Sequence, residues 1–300
     1  MRRARRFLAI FLLFELLLGL AVWYDFERES ADELRHCELR QSTALEALIG
    51  SYGQAARNVF EHSVNRPDIL RLVARAGGQP AEREAVREAL ARRLAPIYEV
   101  LAEQNFRQFH FHLPDGTSLY RFHRPARFGD SLDGVRPSVR LAQETGRLIE
   151  GFETGRIYHG FRYVFPLNWQ GELVGSVEVS IPFSLVRPAL AGVGLAKRRY
   201  RLLLLQEEVY PKLFDEQRAI YRSSSLHPDY LIEQAGEDTG FPGWLGPALA
   251  QQGRQEAVVE QMDAGKLFSE RLRRDGEDWV ATFLPVLDVA GHQAAYVVGL

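Results

Sequence analysis

The stretch FHFHLPDGTSLYRFHR, residues 109–124, predicts the element around which the fold is built. Aromatic residues alternate with histidine and arginine on both sides of a Pro-Asp-Gly sequence. Period-two alternation is typical of a β-strand, and a short turn containing glycine between two such runs predicts an antiparallel hairpin. We expect Leu113 to pair with Ser118 across this hairpin.

That register gives the hairpin two faces of different chemistry. The aromatic face consists of Phe109, Phe111, Tyr120 and Phe122. The polar face consists of His110, His112, Arg121 and His123. We expect the aromatic face to pack against helices and the polar face to line a binding site.

The composition limits the class of protein. The chain has 300 residues, 46% hydrophobic and 25% charged, which is typical of a globular protein with one or two domains. A net charge of −2 and scattered basic residues argue against nucleic acid as a partner. Cys37 is the only cysteine, so an internal disulfide framework and a cysteine-based zinc site are both excluded.

The N-terminus has the composition of a signal anchor. Arginines precede residues 7–23, which are apolar apart from Glu15, and acidic residues follow. As a helix this run is about 26 Å long, close to the ~30 Å hydrocarbon core of a bilayer. We therefore predict that residues 1–24 form a cytoplasmic tip and a transmembrane helix, and that residues 25–300 are exported. A cleaved signal peptide is the alternative, but no small-x-small cleavage pattern follows the apolar run.

A long helix is predicted after the anchor. Apolar residues recur at three- and four-residue steps within residues 25–66, and Pro67 ends the pattern. This apolar stripe fits either a core or the seam of a homodimer. Further helices are predicted over residues 68–76 and 81–104, and we expect Pro96 to kink or interrupt the second one. Strands are predicted near residues 148–153, 156–166 and 172–181.

A weak internal repeat in the sequence predicts two related modules. The segments RYVFPLNWQGELVGSVEVSI and WVATFLPVLDVAGHQAAYVVGL share the plan strand, proline, loop, glycine, strand. Pro285 stands 119 residues after Pro166. We predict an α+β fold with two antiparallel sheets, each flanked by helices, and a boundary within residues 182–194.

The later strands extend the polar face of the hairpin. Arg162 and Glu178 alternate with apolar neighbours, so both are expected beside His110. A rigid sheet covered by a loop is a common way to build a ligand pocket.

The irregular loop of residues 125–137 is the expected cover. It carries Arg127, Asp130 and Arg136 over the polar face. An internal ion pair of Asp130 with Arg136 or Arg127 would hold this loop in place.

Three kinds of site are compatible with such a face. Arginine offers fixed bidentate donors, so a small polar or anionic molecule, for example a carboxylate, fits best. A metal bound by His110, His112 and His123 is disfavoured because the nearby guanidiniums repel a cation. An enzyme active site is disfavoured because no nucleophile, phosphate-loop or dinucleotide motif is present. We predict no catalytic residue, no metal and no cofactor.

Residues 121–181 resemble the membrane-distal module of bacterial double Cache sensor domains, found on chemoreceptors, sensor histidine kinases and diguanylate cyclases. The matching pieces are Arg121-x-His123, Pro125, Phe128-Gly129-Asp130, Arg136, Gly151-x-Glu153, Gly155, Arg162, Pro166, Gly171 and Gly175-x-x-Glu178. The resemblance implies ligand contact or loop support at Arg121, His123, Asp130, Arg136, Glu153, Arg162 and Glu178. Alternation along the hairpin adds His110.

The resemblance also implies an architecture and a function. It implies two PAS-like modules on the long helix of residues 25–66, a membrane-distal one at 67–183 and a membrane-proximal one at 184–300. The implied protein is a homodimeric inner-membrane receptor that binds a small ligand in the periplasm and signals to an output domain beyond residue 300. The Tyr and Arg pattern leading into Trp-Tyr that marks amino-acid-binding members is missing, so no amino-acid ligand is expected. A membrane-tethered solute-binding or partner-binding protein without signalling output is the alternative.

Overall fold

The computed structural model describes residues 2–155, 159–193, 198–213, 218–234 and 241–300. The first element is the helix α1, Arg2–Val59, which continues through a π-helical turn at Phe60–Val64. Helix α2, Pro67–Gly78, begins at Pro67, because proline removes a backbone donor and fits the first position of a helix. One helix therefore runs through residues 25–59, and the predicted long N-terminal helix is confirmed.

The first sheet follows two helices. After α2 come α3 (Arg83–Glu103), β1 (Gln108–His112), β2 (Ser118–Arg121), α4 (Pro137–Thr145), β3 (Ile149–Glu153), β4 (Gly160–Trp169) and β5 (Glu172–Pro182). The strands are antiparallel and lie in the order β2-β1-β5-β4-β3. Pro96 was predicted to kink or interrupt this helix; it lies inside α3, which is not interrupted. Residues 156–158 of the predicted strand at 156–166 lie outside the described residues.

The second sheet repeats the antiparallel plan. Its elements are α5 (Phe183–Ala191), β6 (Tyr200–Leu205), α6 (Gln206–Val209), β7 (Tyr221–Ser223), β8 (Tyr230–Glu233), α7 (Leu245–Gln251), α8 (Gln255–Asp263), β9 (Phe268–Arg274), β10 (Glu277–Leu287) and β11 (Gln293–Gly299). The strand order is β7-β8-β6-β11-β10-β9. The chain is thus α+β, with two antiparallel sheets.

The hairpin of β1 and β2 has almost the predicted register. His110 lies opposite Arg121, and Phe111 lies opposite Tyr120, as expected from pairing Leu113 with Ser118. Nearer the turn the register shifts, and His112 lies opposite Ser118. This bulge brings Ser118 onto the same face as His110, whose Nε2 lies 2.8 Å from the Ser118 hydroxyl.

The aromatic face of the first sheet packs against the helices, as predicted. The ring of Phe60, just after α1, stacks on Phe165 of β4 with 4.4 Å between centroids. The ring of Tyr98 in α3 lies 5.7 Å from Phe122. Each fully buried aromatic side chain stabilises the fold by roughly 1.5–3 kcal/mol, so this layer fixes which face of the sheet turns away from the helices.

Helix α1 contacts both sheets. The Tyr163 hydroxyl of β4 donates a 2.7 Å hydrogen bond to the Ile49 carbonyl. The Gln41 side chain donates a 2.7 Å hydrogen bond to the Thr282 hydroxyl of β10. A displacement along α1 would therefore change contacts in both halves of the chain.

The start of α1 is predicted from the sequence to be a membrane anchor over residues 7–23. The large apolar side chains described there, from Phe7 to Phe26, are exposed. Within the described part of the chain, no helix reaches the combined length and hydropathy needed to span a bilayer.

Candidate functional site

Four charged residues, whose side chains are at least nine-tenths buried, form a closed ring on the polar face of the first sheet. Arg136 Nε lies 2.6 Å from Glu153 Oε1, and Arg162 Nε lies 3.0 Å from the same oxygen. Arg162 Nη1 lies 2.6 Å from Glu178 Oε1, and Arg136 Nη2 pairs with Glu178 Oε2. We call Arg136, Glu153, Arg162 and Glu178 the charge ring. Two guanidiniums and two carboxylates balance within it.

The secondary structure places each member of the charge ring. Arg162 and Glu178 lie on the paired strands β4 and β5, with Glu178 opposite Val164, so their side chains share one face. Glu153 is the last residue of β3, and Arg136 directly precedes α4. The Ser138 amide in the first turn of α4 donates a 2.8 Å hydrogen bond to Glu153 Oε2, a favourable position for a carboxylate at a helix N-terminus.

Two members of the charge ring, Glu178 and Arg136, are held in their charged forms. Burial alone would raise the pKa of Glu178, but Arg136 and Arg162 outweigh it and hold the pKa of this carboxyl well below its usual range. Burial would likewise lower the pKa of Arg136, but Glu178 and Glu153 raise it above the ordinary value. A buried carboxylate with two guanidinium partners stays charged because protonation would break two charge-assisted hydrogen bonds.

The histidines of the hairpin are held neutral beside this ring. Burial, followed by the charge of neighbouring arginines, lowers the pKa of His112 to about 3 and that of His123 to about 4, even though Glu178 raises both. Burial also lowers the pKa of His110 well below its usual range. The His112 Nδ1 atom lies 3.0 Å from the Ser176 hydroxyl. At neutral pH, the polar face therefore carries uncharged imidazoles next to ionised guanidiniums.

A cavity of about 410 Å³ opens above the polar face. Six of the eight predicted site residues line it, namely His110, Arg121, His123, Asp130, Arg136 and Arg162. The lining also includes Gln108, Arg124, Ala126, Arg127, Phe128, Leu132, Val135 and Gly155. Glu153 and Glu178 are not part of the lining; they hold Arg136 and Arg162 from behind. Six of the predicted residues thus line the cavity, and the two glutamates hold two of its arginines in place.

The loop over the cavity is held differently from the prediction. Asp130 pairs with Arg121 in a bidentate contact of 2.6 and 2.9 Å, and not with Arg136 or Arg127. Arg121 also donates a 3.0 Å hydrogen bond to the Arg127 carbonyl. The prediction was wrong because Arg136 is engaged by the two glutamates, while Arg121 at the end of β2 reaches the returning loop.

A second contact ties the same loop to a helix. The guanidinium of Arg87 in α3 lies 3.7 Å from the ring centroid of Phe128. Such a cation–π contact contributes about 0.5–1 kcal/mol at an exposed site. The loop is therefore attached to the sheet through Arg121 and to the helical layer through Phe128.

Two arginines of the cavity wall have no side-chain partner in the described part of the chain. Among the described residues, the side chains of Arg124 and Arg127 form no hydrogen bond or ion pair. Arg121, Arg136 and Arg162 are each paired with a carboxylate. The cavity wall therefore has a surplus of positive charge that comes from Arg124 and Arg127.

Sequence reasoning missed part of the lining. Gln108 Oε1 accepts a 2.6 Å hydrogen bond from Arg162 and another of 2.6 Å from the Ser180 hydroxyl. The signal for Gln108 was available, because it lies two residues before His110 on the same strand. Arg124 was missed because alternation, continued past the end of β2 at Arg121, places it on the aromatic face with Tyr120 and Phe122.

The described residues include two groups whose spacing would allow them to share a metal ion. His110, His112 and Glu178 form the first group, at the floor of the cavity, and all three are buried. His227, Asp229 and Asp263 form the second, in the second half of the chain, and both of its aspartates are exposed.

Comparison with known proteins identifies the family. A family model, dCache_3, described as the double sensory domain of two-component sensor kinases, matches residues 44–195. No curated protein sequence matches the chain.

Solved structures of similar fold come from several bacteria. The sensor domain of the V. cholerae histidine kinase DctB is 13% identical, with 88% of this chain and 95% of that one covered and a TM-score of 0.48. A domain of a sensory box/GGDEF family protein from Vibrio parahaemolyticus is 13% identical, with 87% and 94% covered and a TM-score of 0.45. The ligand-binding domain of the Campylobacter jejuni chemoreceptor Tlp3, in complex with L-valine, is 11% identical, with 89% and 93% covered and a TM-score of 0.35.

The matched family model spans half of the chain and includes the whole first sheet and the charge ring. The family is described as a sensory domain of two-component sensor kinases. The chain therefore belongs to the double Cache family of sensory domains.

Proposed function

We propose that this chain is the extracytoplasmic sensing region of a transmembrane receptor and binds a small anionic molecule in the cavity of its first module. The observation that carries the proposal is the pair of guanidiniums, Arg124 and Arg127, that line the cavity without an ion pair among the described residues. A guanidinium offers a planar fork of donors that matches a carboxylate or a phosphate.

The shape and charge of the cavity support this class of ligand. Its volume of about 410 Å³ is within the usual range for small-molecule pockets. Asp130 is the only carboxylate among the described lining residues, and Arg121 engages both of its oxygens. A ligand with an ammonium group would find no unengaged carboxylate there, so an anion without an amine is favoured.

We assign the predicted site residues two roles. His110, Arg121, His123, Arg136 and Arg162 form the wall that faces the ligand. Glu153 and Glu178 keep Arg136 and Arg162 in place, and Asp130 holds the loop through Arg121. Substitution of a support is expected to destabilise the fold, whereas substitution of Arg124 or Arg127 is expected to affect binding alone.

The signalling part of the proposal depends on α1. Ligand binding would draw the loop of residues 122–136 toward the sheet and shift the sheet against α1 through the contact between Tyr163 and Ile49. A shift of packed helices against a second copy of the chain is a common way to pass a signal. The exposed apolar side chains at the start of α1 support attachment to the inner membrane, with residues 25–300 in the periplasm.

A thermal-shift screen with carboxylates and inorganic phosphate tests the ligand class. An anion present at 100 times its dissociation constant should stabilise the protein by about 2.7 kcal/mol. The Arg124→Ala/Arg127→Ala variant should fold normally and lose this stabilisation, while Arg222→Ala, an exposed arginine on β7, should keep it. An undiminished shift in the double variant would remove the basis of the proposal.

The alternative function is that of a membrane-tethered binding protein without signalling output. In a receptor, ligand binding would move α1 relative to α1 of a second copy; in a tethered binding protein it would not. Cys37 lies on α1 as a free cysteine and reports on how close two copies of the helix are. If the chain is a signalling receptor, the bound anion should change the rate at which Cys37 forms a cross-link between two copies. An unchanged rate at saturating anion would favour the tethered binding protein.

A further inference from the structure

The floor of the cavity brings together three side chains that are ligands for transition metals. His110 and Glu178 are direct partners on the antiparallel strands β1 and β5, and His112 is two residues further along the same face. His110 Nδ1 lies 3.9 Å from Glu178 Oε2, and His112 Nε2 lies 3.8 Å from the same oxygen. We propose that His110, His112 and Glu178 bind a divalent transition metal ion of the Zn²⁺ class.

The distances are close to those of a formed site. Zinc binds nitrogen at about 2.0–2.1 Å and carboxylate oxygen at about 2.0–2.2 Å, so ligand atoms in a tetrahedral site lie roughly 3.4 Å apart. The three ligand atoms here all lie within 4.8 Å of one another. The two nitrogen–oxygen distances, 3.9 and 3.8 Å, need to shorten by about half an ångström to reach that separation, and the paired strands hold the Cα positions.

The other nitrogen of each imidazole already has the partner that a metal ligand needs. His110 Nε2 lies 2.8 Å from the Ser118 hydroxyl, and His112 Nδ1 lies 3.0 Å from the Ser176 hydroxyl. Gln143 donates a 3.1 Å hydrogen bond to the Ser176 hydroxyl and so fixes it further. Metal-binding histidines usually donate their second N–H to an oxygen, which sets the tautomer and leaves the lone pair toward the ion.

One of these lone-pair positions has no other role in the fold. His112 is completely buried, and its Nε2 atom has no hydrogen-bond partner among the described residues. Buried polar atoms are nearly always paired, so an unpaired one at the centre of a ligand cluster indicates a bound species. A cation satisfies the His110 nitrogen, the His112 nitrogen and the Glu178 oxygen together, because all three can act as acceptors.

The positive charge beside the three proposed metal ligands is smaller than the number of nearby arginines indicates. Arg136 and Arg162, which from sequence alone would repel a cation, are neutralised by Glu153 and Glu178 within the charge ring. Glu178 Oε2 also accepts a hydrogen bond from Arg136, but a carboxylate has about four lone-pair sites in total. The charges of these four residues therefore balance before the ion enters, and the surplus positive charge of the described cavity wall lies at Arg124 and Arg127.

The fourth coordination position faces the cavity. His110 lines the cavity, whereas His112 and Glu178 lie beneath it. Three protein ligands leave one tetrahedral position for a water molecule or an anion, as in zinc sites that keep an open position. The metal site does not depend on the anion bound by Arg124 and Arg127, and the two can be tested separately.

Equilibrium dialysis of the whole chain against ZnCl₂, after treatment with a chelator, is the direct test. We expect one Zn²⁺ bound per chain, loss of that ion in His112→Ala, and full retention in the matched variant His62→Ala, whose histidine is exposed in the π-helical turn after α1. Ser176→Ala leaves the ligands in place and should weaken Zn²⁺ binding by about 10- to 100-fold, the usual effect of losing an outer partner.

Two outcomes would overturn the metal site. Chelator-treated protein that binds no stoichiometric Zn²⁺, or His112→Ala protein that binds Zn²⁺ as the parent does, contradicts it. The Co²⁺-loaded parent, read by its visible absorption, gives a measurement that does not depend on any variant: a spectrum with no ligand-field bands of a tetrahedral site also contradicts it. Anion binding by chelator-treated protein is measured in parallel, so failure of the metal site leaves the result for Arg124 and Arg127 unaffected.

Discussion

The charge ring should respond sharply to the loss of one carboxylate. The substitution Glu178→Gln keeps the shape of the side chain and removes one of the two carboxylates that Arg136 and Arg162 share, which leaves Glu153. All four side chains are at least nine-tenths buried, so water compensates for the lost partner much less than it would at the surface. Removing one partner of a buried ion pair typically destabilises a protein by about 3–5 kcal/mol, because the remaining charge is left uncompensated.

Thermal unfolding measures this effect. For a domain of this size, 1 kcal/mol corresponds to about 2–4 °C in the melting temperature, so we expect a decrease of roughly 6–20 °C. The matched control is Glu144→Gln, which breaks the pair with Arg140, where both side chains are more than half exposed. Exposed pairs of this i, i+4 type contribute about 0.3–0.5 kcal/mol, so the control should shift the melting temperature by no more than about 2 °C.

A second substitution separates uncompensated charge from lost packing. Arg136→Met in the Glu178→Gln background restores charge balance within the ring, because one guanidinium, Arg162, then faces one carboxylate, Glu153. We expect the double variant to be more stable than Glu178→Gln by itself. If Glu178→Gln lost less than about 1 kcal/mol, or if the two substitutions were additive, the charge ring would not act as the coupled unit described here.

Two further predictions concern buried histidines. The pKa of His112 is about 3 and that of His123 about 4 in the folded protein, both below the unfolded value of about 6.5. The unfolded chain therefore takes up protons first as pH falls, and each histidine should lower the free energy of unfolding by about 1.4 kcal/mol per pH unit below pH 6.5. Urea unfolding between pH 7 and 4.5 should show this slope, and it should be shallower in His112→Gln. At the contact between the two modules, Tyr221→Phe removes the hydroxyl that lies 2.6 Å from His159 Nε2 and should cost about 1–3 kcal/mol in urea unfolding. No loss of stability in Tyr221→Phe, compared with the exposed control Tyr24→Phe, would mean that this hydrogen bond contributes nothing.

Alternation along the strands predicted the two faces of the hairpin, because side chains in a strand point alternately to opposite sides. The bulge near Ser118 was not predictable, since it depends on how the chain leaves the turn at Gly116, where φ is +76°. The predicted assignment of side chains to the two faces is still correct, because the register shift lies on the turn side of the pair of Phe111 with Tyr120.

It was harder to predict which arginine pairs with which carboxylate than to predict which residues belong to the site. A strand pattern tells which face a side chain joins, but an arginine is long enough to reach several carboxylates on that face. Asp130 therefore pairs with Arg121, and Arg136 reaches Glu153 and Glu178. The choice depends on distances between elements that are far apart in sequence, and no local pattern contains those distances.

The end of strand β3 belongs to both halves of the molecule. Glu153 is a member of the charge ring, and the next residue, Thr154, donates a 3.1 Å hydrogen bond from its hydroxyl to the Glu208 carbonyl in α6. The Thr154 hydroxyl also accepts a 2.5 Å hydrogen bond from Lys212. Only one peptide unit, about 3.3 Å of chain, separates the two sets of contacts.

No linker lies between those contacts, so neither set can loosen without moving the backbone that carries the other. The consequence concerns cooperativity: the two modules should unfold in a single transition, and not one after the other as independent domains joined by a flexible segment do. Amide exchange in β3 and in α6 should then report the same opening free energy.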